Sequence, residues 1–240
     1  MKIIQSISIV LVTLLLTVGC DKSNTMPTSV DGIGTFTLSL ASSEIQSEVI
    51  TRTALNIDAA TFQITLAEKD GTVLFENKPF DTLTETEYTL PAATNYQLKA
   101  ENCTLEESME LNDGWGMPHF VGNTTFNIVS NQHTPVSLIC TMNNVGIQVV
   151  FSQDFLDKFP IHAVTTQDSR AIVFNQDTQE EVAYYPAEGD NITVSIKLTG
   201  SAGGWTDRLD TTRELVLSKG KLYTLYVTYK NNRLQCKAVH

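Results

Sequence analysis

The residues with the widest chemical range are the four histidines, His119, His133, His162 and His240, and they are scattered along the chain. None falls in an HxH or HxxxH spacing, so neither a zinc site nor a general base is expected from them. The carboxylates Glu106 and Glu107 are adjacent, and adjacent residues of a strand face opposite sides, so they form no acid–base dyad. Serines are plentiful, but no GxSxG or SxxK occurs. Two tryptophans stand in glycine-bearing loops: Trp115 in GWGMPHF, with His119 and Phe120, and Trp205 in GSAGGWTDRLD. An exposed aromatic face can stack on a sugar ring, so both are candidate ligand contacts. Trp205, at what reads as a hairpin tip, is the better adhesive candidate. Trp115 can instead cover one end of a core with Phe120, while Pro118 shapes the turn. The glycines of the second loop lack the strand–helix setting of a phosphate loop. No catalytic residue, metal site or cofactor is expected, and the chain is not read as an enzyme.

One cysteine has a different chemistry. Met1-Lys2 is followed by the uncharged run Ile3–Val18, rich in Ile, Leu and Val, and then by Gly19-Cys20. The run is shorter than the roughly 20 residues that cross a bilayer, and it has the size of a signal-peptide core. The segment resembles a bacterial lipoprotein signal, with Thr17 where such signals usually carry Leu. Residues 1–19 are expected to be removed and the Cys20 thiol to become a lipid-bearing thioether. Several acyl chains anchor firmly, at about 0.8 kcal/mol per buried methylene. Residues 20–32 are polar and aperiodic and read as a tether.

The formal charge of −11, with only 16 Lys and Arg, argues against nucleic acid as a partner, because phosphate binding needs clustered cations. With Cys20 acylated, Cys103, Cys140 and Cys236 remain. One disulfide with one free thiol would suit an exported protein, and the pairing does not follow from spacing. Cys140 lies in phase with Val136, Leu138 and Met142, which equally suits a buried thiol.

The elements that must carry these residues are strands. Phe36, Leu38 and Leu40 alternate with Thr and Ser, as do Phe62, Ile64 and Leu66. Asp70-Gly71 then separates that run from TVLFE, a hairpin signal. Tyr96/Leu98/Ala100, Phe126/Ile128 and Val136/Leu138/Cys140/Met142 continue the pattern, and MNNVG interrupts it at 142–146. A second series follows: GIQVVFS, RAIVFN, NITVSIKL, RELVLS, KLYTLYVTYK and RLQCKAV. Only DFLDKF offers a helical turn, with Phe155 and Phe159 on one side. Short strands with turn residues between them mean sheets packed face to face. The expected fold is all-β, with two tandem immunoglobulin-like sandwiches over 33–142 and 143–240. A single continuous sandwich is the rival. An open strand edge in either arrangement could accept a strand from a partner.

DGIGTFTLSL, YTLPAATNYQLKA, WGMPHFVGNTTFNI, TPVSLICTMNNVGIQVVFS and GKLYTLYVTY occur in that order. As an ordered set they resemble the uncharacterised surface lipoproteins of Bacteroidales-type bacteria, grouped loosely with the fimbrillin-like adhesins. The resemblance implies transthyretin-like sandwiches, export to the outer membrane by lipid anchor, and work as an adhesin or fimbria-associated subunit. Its partners would be fimbrial subunits or surface glycans. The resemblance also implies two rival fates: proteolysis at Arg52 in VITRTAL to free a groove for a partner's strand, or retention of the lipid by a non-polymerising adhesin. DTL at 81–83 and DTT at 210–212 resemble the short O-glycosylation motif of exported Bacteroidetes proteins, with Thr82 and Thr211 as acceptors.

The lipid assignment is open to direct measurement. Cells fed labelled palmitate are expected to label the wild-type chain, and Cys20→Ala is expected to abolish the label; equal labelling of the two removes Cys20 as the acceptor.

Overall fold

The computed structural model describes residues 32–42, 58–83, 87–179, 181–202, 208–231 and 233–240. The alternating apolar runs are extended, and most of them bury one face, so the fold is all-β. The first seven strands are β1 Ile33–Ser42, β2 Gln63–Ala67, β3 Val73–Pro79, β4 Tyr88–Pro91, β5 Ala93–Glu101, β6 Phe120–Ile128 and β7 His133–Met142. They form one sheet in the order β3-β2-β5-β6-β7-β1-β4. The sheet turns a corner between β6 and β7, where only Phe120↔Met142 and Val121↔Thr141 pair. Its two arms therefore face each other over a shared core. Phe36, Leu38, Val136, Leu138 and Cys140 enter from one arm, and Phe62, Ile64, Leu66, Tyr96 and Leu98 from the other. Each large side chain moved out of water contributes about 1.5–3 kcal/mol.

The later strands are β8 Asn144–Phe151, β9 Ile161–Gln167, β10 Ala171–Phe174, β11 Val182–Pro186, β12 Asn191–Ser201, β13 Arg208–Ser218, β14 Leu222–Lys230 and β15 Arg233–Val239. They make two four-stranded sheets, β10-β9-β12-β13 and β11-β8-β14-β15. Between them lies a second core, with Ile147, Val149, Phe155, Val164, Tyr185, Val194, Leu225 and Val227. The two strand orders are the same order used twice. Adding seven to each strand of β3-β2-β5-β6 and β4-β1-β7 gives β10-β9-β12-β13 and β11-β8-β14. Even the parallel pair recurs, β1 with β7 and β8 with β14. The strand without a counterpart is β15.

Local chemistry sets the turns. The Asp70 carboxylate accepts from Thr72 N at 2.9 Å, and Gly71 takes the positive φ of 89° that closes the β2–β3 hairpin. Ser152 caps the one-turn helix α2, Gln153–Lys158, by accepting from Phe155 N. The Phe155 and Phe159 rings lie 5.3 Å apart, both buried against the second core. The first helix, α1, spans Glu107–Glu110. No helix among the described residues is long and apolar enough to cross a membrane.

The corner between β6 and β7 depends on a missing side chain. A Cβ on Gly122 would stand 2.7 Å from Ile139 O and 2.9 Å from Cys140 Sγ. Gly122→Ala is therefore expected to destabilise the chain by about 1–3 kcal/mol, read as a lower urea midpoint; an unchanged midpoint would mean that β6 does not press on β7 there.

Candidate functional site

β7 is built from HTPVSLICTM. Val136, Leu138, Cys140 and Met142 bury one face, and burial pushes the Cys140 thiol up to about 12. One flank of β7 pairs in parallel with β1 over eight positions, from Thr35↔His133 to Ser42↔Cys140. On the other flank, only Thr141 and Met142 have a registered strand partner among the described residues. Pro135 lies in this stretch, and a proline, lacking an N–H, is tolerated where a strand is an edge. The second half shows what fits there. β14 pairs with β8 on one side, and on the other with β15 over seven positions, from Thr224↔Val239 to Lys230↔Arg233. β15 thus forms beside β14 a ladder that β7 lacks over 133–140 among the described residues, where β6 lies close without registered pairs and Thr134 Oγ1 donates to Asn127 O at 3.3 Å.

A polar cluster stands at the entry to β7, on the outer face of the sheet. The Glu87 carboxylate lies 3.1 Å from His133 Nδ1, and His133 Nε2 lies 3.2 Å from Thr37 Oγ1. Thr35 Oγ1 donates to Glu87 and lies 3.2 Å from His133 Nδ1. Hydrogen bonds from Thr35 and then His133 hold the Glu87 carboxyl below its usual range. Carboxylate, imidazole and hydroxyl follow one another as in a nucleophile relay, but here they stand in water. Their contacts join β1 and β7 to the residue preceding β4.

The corner is positioned from the other side by the segment that enters β6. Asn102 mimics a strand neighbour: its Oδ1 accepts from Phe120 N at 2.7 Å and its Nδ2 donates to Pro118 O at 2.9 Å. Buried Asn144 does the same for His119 N and Met117 O. Arg170, between β9 and β10, reaches across and donates to the carbonyls of Met109, Gly114, Trp115 and Tyr184. Gly116, at φ 83°, admits this approach; a Cβ there would lie 2.6 Å from Ser108 O and 2.9 Å from the guanidinium. The Trp115 ring lies edge-on to Phe174 at 5.0 Å and packs on the second core. Tyr184 of β11 points into the first core while Tyr185 points into the second.

The residues singled out from sequence do not converge. Trp115 is half-buried in that packing. Thr82 ends a 3-10 turn, Phe80–Thr82, and donates to Pro79 O at 2.6 Å. Thr211 lies within β13, opposite Leu198. Cys20, Arg52 and Trp205 lie outside the described residues. Cys103, Cys140 and Cys236 are all free thiols, and burial first, then Glu107 and Glu101, pushes Cys103 up to about 11. His119 and His162 are buried, His133 is in the surface cluster, and the His240 ring lies 5.5 Å from that of Tyr223. The described residues contain no group of three His, Cys, Asp or Glu that could hold a metal. Sequence reasoning missed Arg170, Asn102 and Asn144, whose roles come from reaching main-chain groups distant along the chain.

The profile of a family described as "Domain of unknown function (DUF4493)" matches residues 32–237. No curated protein matches the chain. Among solved structures, it is similar to a fimbrial assembly protein from Parabacteroides distasonis, at 10% identity and TM-score 0.48, over 88% of this chain and 96% of that one. It is also similar to a fimbrial anchor protein from Porphyromonas gingivalis, at 9% identity and TM-score 0.40, over 86% and 99%.

The site generates a pH expectation through His119. Its Nε2 is buried 3.6 Å from a Glu101 oxygen, too far for a hydrogen bond, and has no other partner. Burial holds the imidazole below its ordinary 6.5, outweighing the pull of Glu101. Between the folded value and 6.5 the unfolded chain binds more protons, so stability falls as pH drops through that interval. Urea unfolding from about pH 6.5 to about pH 5 should show this fall in the wild type and a smaller one in His119→Gln; a flat wild-type profile contradicts it.

Proposed function

This chain belongs to the DUF4493 family, and on that premise we propose that it is a cell-surface, fimbria-associated subunit with an adhesin-like, non-catalytic role. In this reading the mature chain is tied by lipid at Cys20 to the outer membrane, and residues 20–32 hold two transthyretin-like sandwiches, 33–142 and 143–240, away from it. It engages a partner subunit by strand addition. Main-chain hydrogen bonds supply the affinity, and alternate side chains set the register.

The observation that supports this most is the unequal use of one topology. The same strand order occurs twice, and β15 covers beside β14 a flank that, among the described residues, has no registered ladder partner beside β7 over 133–140. Unpaired main-chain groups on such a flank are a template for a further strand. The stretch from Val136 to Ile139 carries no charge that would repel one.

Hydrogen exchange on the full chain tests the mechanism. In the isolated chain, amides of β7 over 136–140 that point away from β1 should exchange faster than those of β14 that pair with β15. In detergent-resistant assemblies from the native envelope, the same β7 amides should slow by at least about tenfold, a shift of about 1.4 kcal/mol. Assemblies that protect other segments and leave β7 unchanged would remove strand addition at this flank.

A further inference from the structure

The outer face of the other arm carries a second feature, distinct from any strand edge. A cavity of about 650 Å³ lies across β2, β5 and β6. Its side chains form two rows fixed by the strand registers. Thr65, Lys99 and Asn123 stand abreast, and Ala67, Gln97 and Thr125 stand abreast in the next row. Strand spacing makes this grid about 10 Å across and about 7 Å along. From it we infer that the cavity is a binding site for a neutral polyhydroxyl chain, a segment of uncharged glycan.

The lining decides the class of ligand. Gln97 and Asn123 offer side-chain amides, and Thr65 and Thr125 offer hydroxyls, so each residue can both donate and accept. A sugar hydroxyl has the same double character. Asn123 and Thr125 line the cavity and make no side-chain hydrogen bond within the described residues, so their polar atoms are free to bond a ligand there. Gln97 uses one amide hydrogen on Lys69 O at 3.3 Å and keeps its carbonyl. Thr65 accepts from Asn77 N at 3.3 Å and keeps its hydrogen. Ala67 leaves room in the floor.

Other ligands fit less well. β5 is paired on both sides, to β2 and to β6, so this face has no free main chain for an added strand. The one cation, Lys99, is 2.6 Å from Glu101 and is neutralised, and the chain carries −11 overall, which disfavours an acidic polymer. The apolar surface of the lining is spread over threonine methyls, side-chain stems, Leu98 and Ala67, with no large apolar side chain exposed there, since Leu98 is buried on the inner face. The inference stands independently of strand addition at β7.

Nuclear magnetic resonance on the full chain tests it, with maltoheptaose, xylohexaose and mannohexaose as neutral probes. Oligogalacturonate and an uncharged Gly/Ser peptide serve as controls. At least one neutral probe should shift the Gln97 and Asn123 side-chain amides saturably at concentrations up to about 10 mM. Gln97→Ala combined with Asn123→Ala should weaken that binding by about tenfold or more. Melting of the double variant should match the wild type, since both residues are exposed. The inference is overturned if no neutral probe moves those resonances, if only a control does, or if the double variant binds as well as the wild type. If the double variant is unfolded, Gln97→Glu and Asn123→Asp, each alone, replace it. Either is expected to weaken the neutral probe, and unchanged affinity in both again overturns the site.

Discussion

Between β5 and β6 the chain makes a long excursion outside the sheet, and one guanidinium gathers several of its carbonyls, among them Trp115 O, which also accepts from Tyr184 N of β11. Arg170 gives hydrogen bonds to three carbonyls of that excursion, Met109, Gly114 and Trp115, and to Tyr184 of β11. Taking a cation out of water is costly, and burial lowers the Arg170 pKa. Several oriented carbonyls can offset that cost, which one carbonyl could not. The arrangement also works in reverse, because loss of the guanidinium would leave those carbonyls short of donors near two apolar cores. Around this contact the halves exchange aromatic residues: Trp115 from the first half packs on the second core, and Tyr184 from the second half enters the first. The entry to β6, the burial of His119 and the corner at Gly122 all follow from where this excursion is held.

The corner in turn decides which flank lacks a ladder. β6 is anchored to β7 at Phe120 and Val121; beyond them it stays beside β7, at Gly122 against Ile139 and where Thr134 Oγ1 donates to Asn127 O, with no further registered pair among the described residues. Three of the sheet edges, β3, β10 and β13, carry recognisable protection. β3 has a shifted register against β2, a positive φ at Asn77, and Lys78-Pro79 at its end. β10 has four residues, and β13 carries Arg208, Asp210, Arg213 and Glu214. Bulges, prolines, short length and charges all oppose edge-to-edge pairing. Along β7 the one such device is Pro135, followed by an uncharged run. This stretch of β7 is therefore less protected against edge pairing than β3, β10 or β13.

The strands that the sequence made legible are those with one buried face. Phe62/Ile64/Leu66 and Val136/Leu138/Cys140/Met142 alternate because their outward neighbours are polar, and all seven are buried. β9 and β11 escaped for opposite reasons. β9 buries His162 and Thr166, so its inward face does not read as apolar. β11 buries Ala183, Tyr184 and Tyr185 in succession, because its two faces serve two cores, and period two disappears. The doubled topology was invisible to alternation, which reports faces and says nothing about neighbours. The candidate site was less legible still. The alternation did not mark Pro135 as an edge residue, the flank without a ladder is defined by pairing between elements, and the clamps of Arg170, Asn102 and Asn144 join residues whose partners lie on other elements.

Faces and edges of a sheet offer different chemistry, and the first half of this chain presents both. An edge presents main-chain donors and acceptors in a fixed order, so it recognises a strand almost regardless of composition. A face hides its main chain under side chains, so it recognises whatever complements those side chains. The Thr65–Lys99–Asn123 and Ala67–Gln97–Thr125 rows are a face of this second kind, saturated in main-chain bonding and neutral in charge. β6 belongs to both: Asn123 and Thr125 stand on the face, while Phe120 and Val121 form the hinge to β7. A ligand on the face therefore does not compete with a strand at the flank. What links them is the orientation of β6, which the excursion held by Arg170 sets at its start.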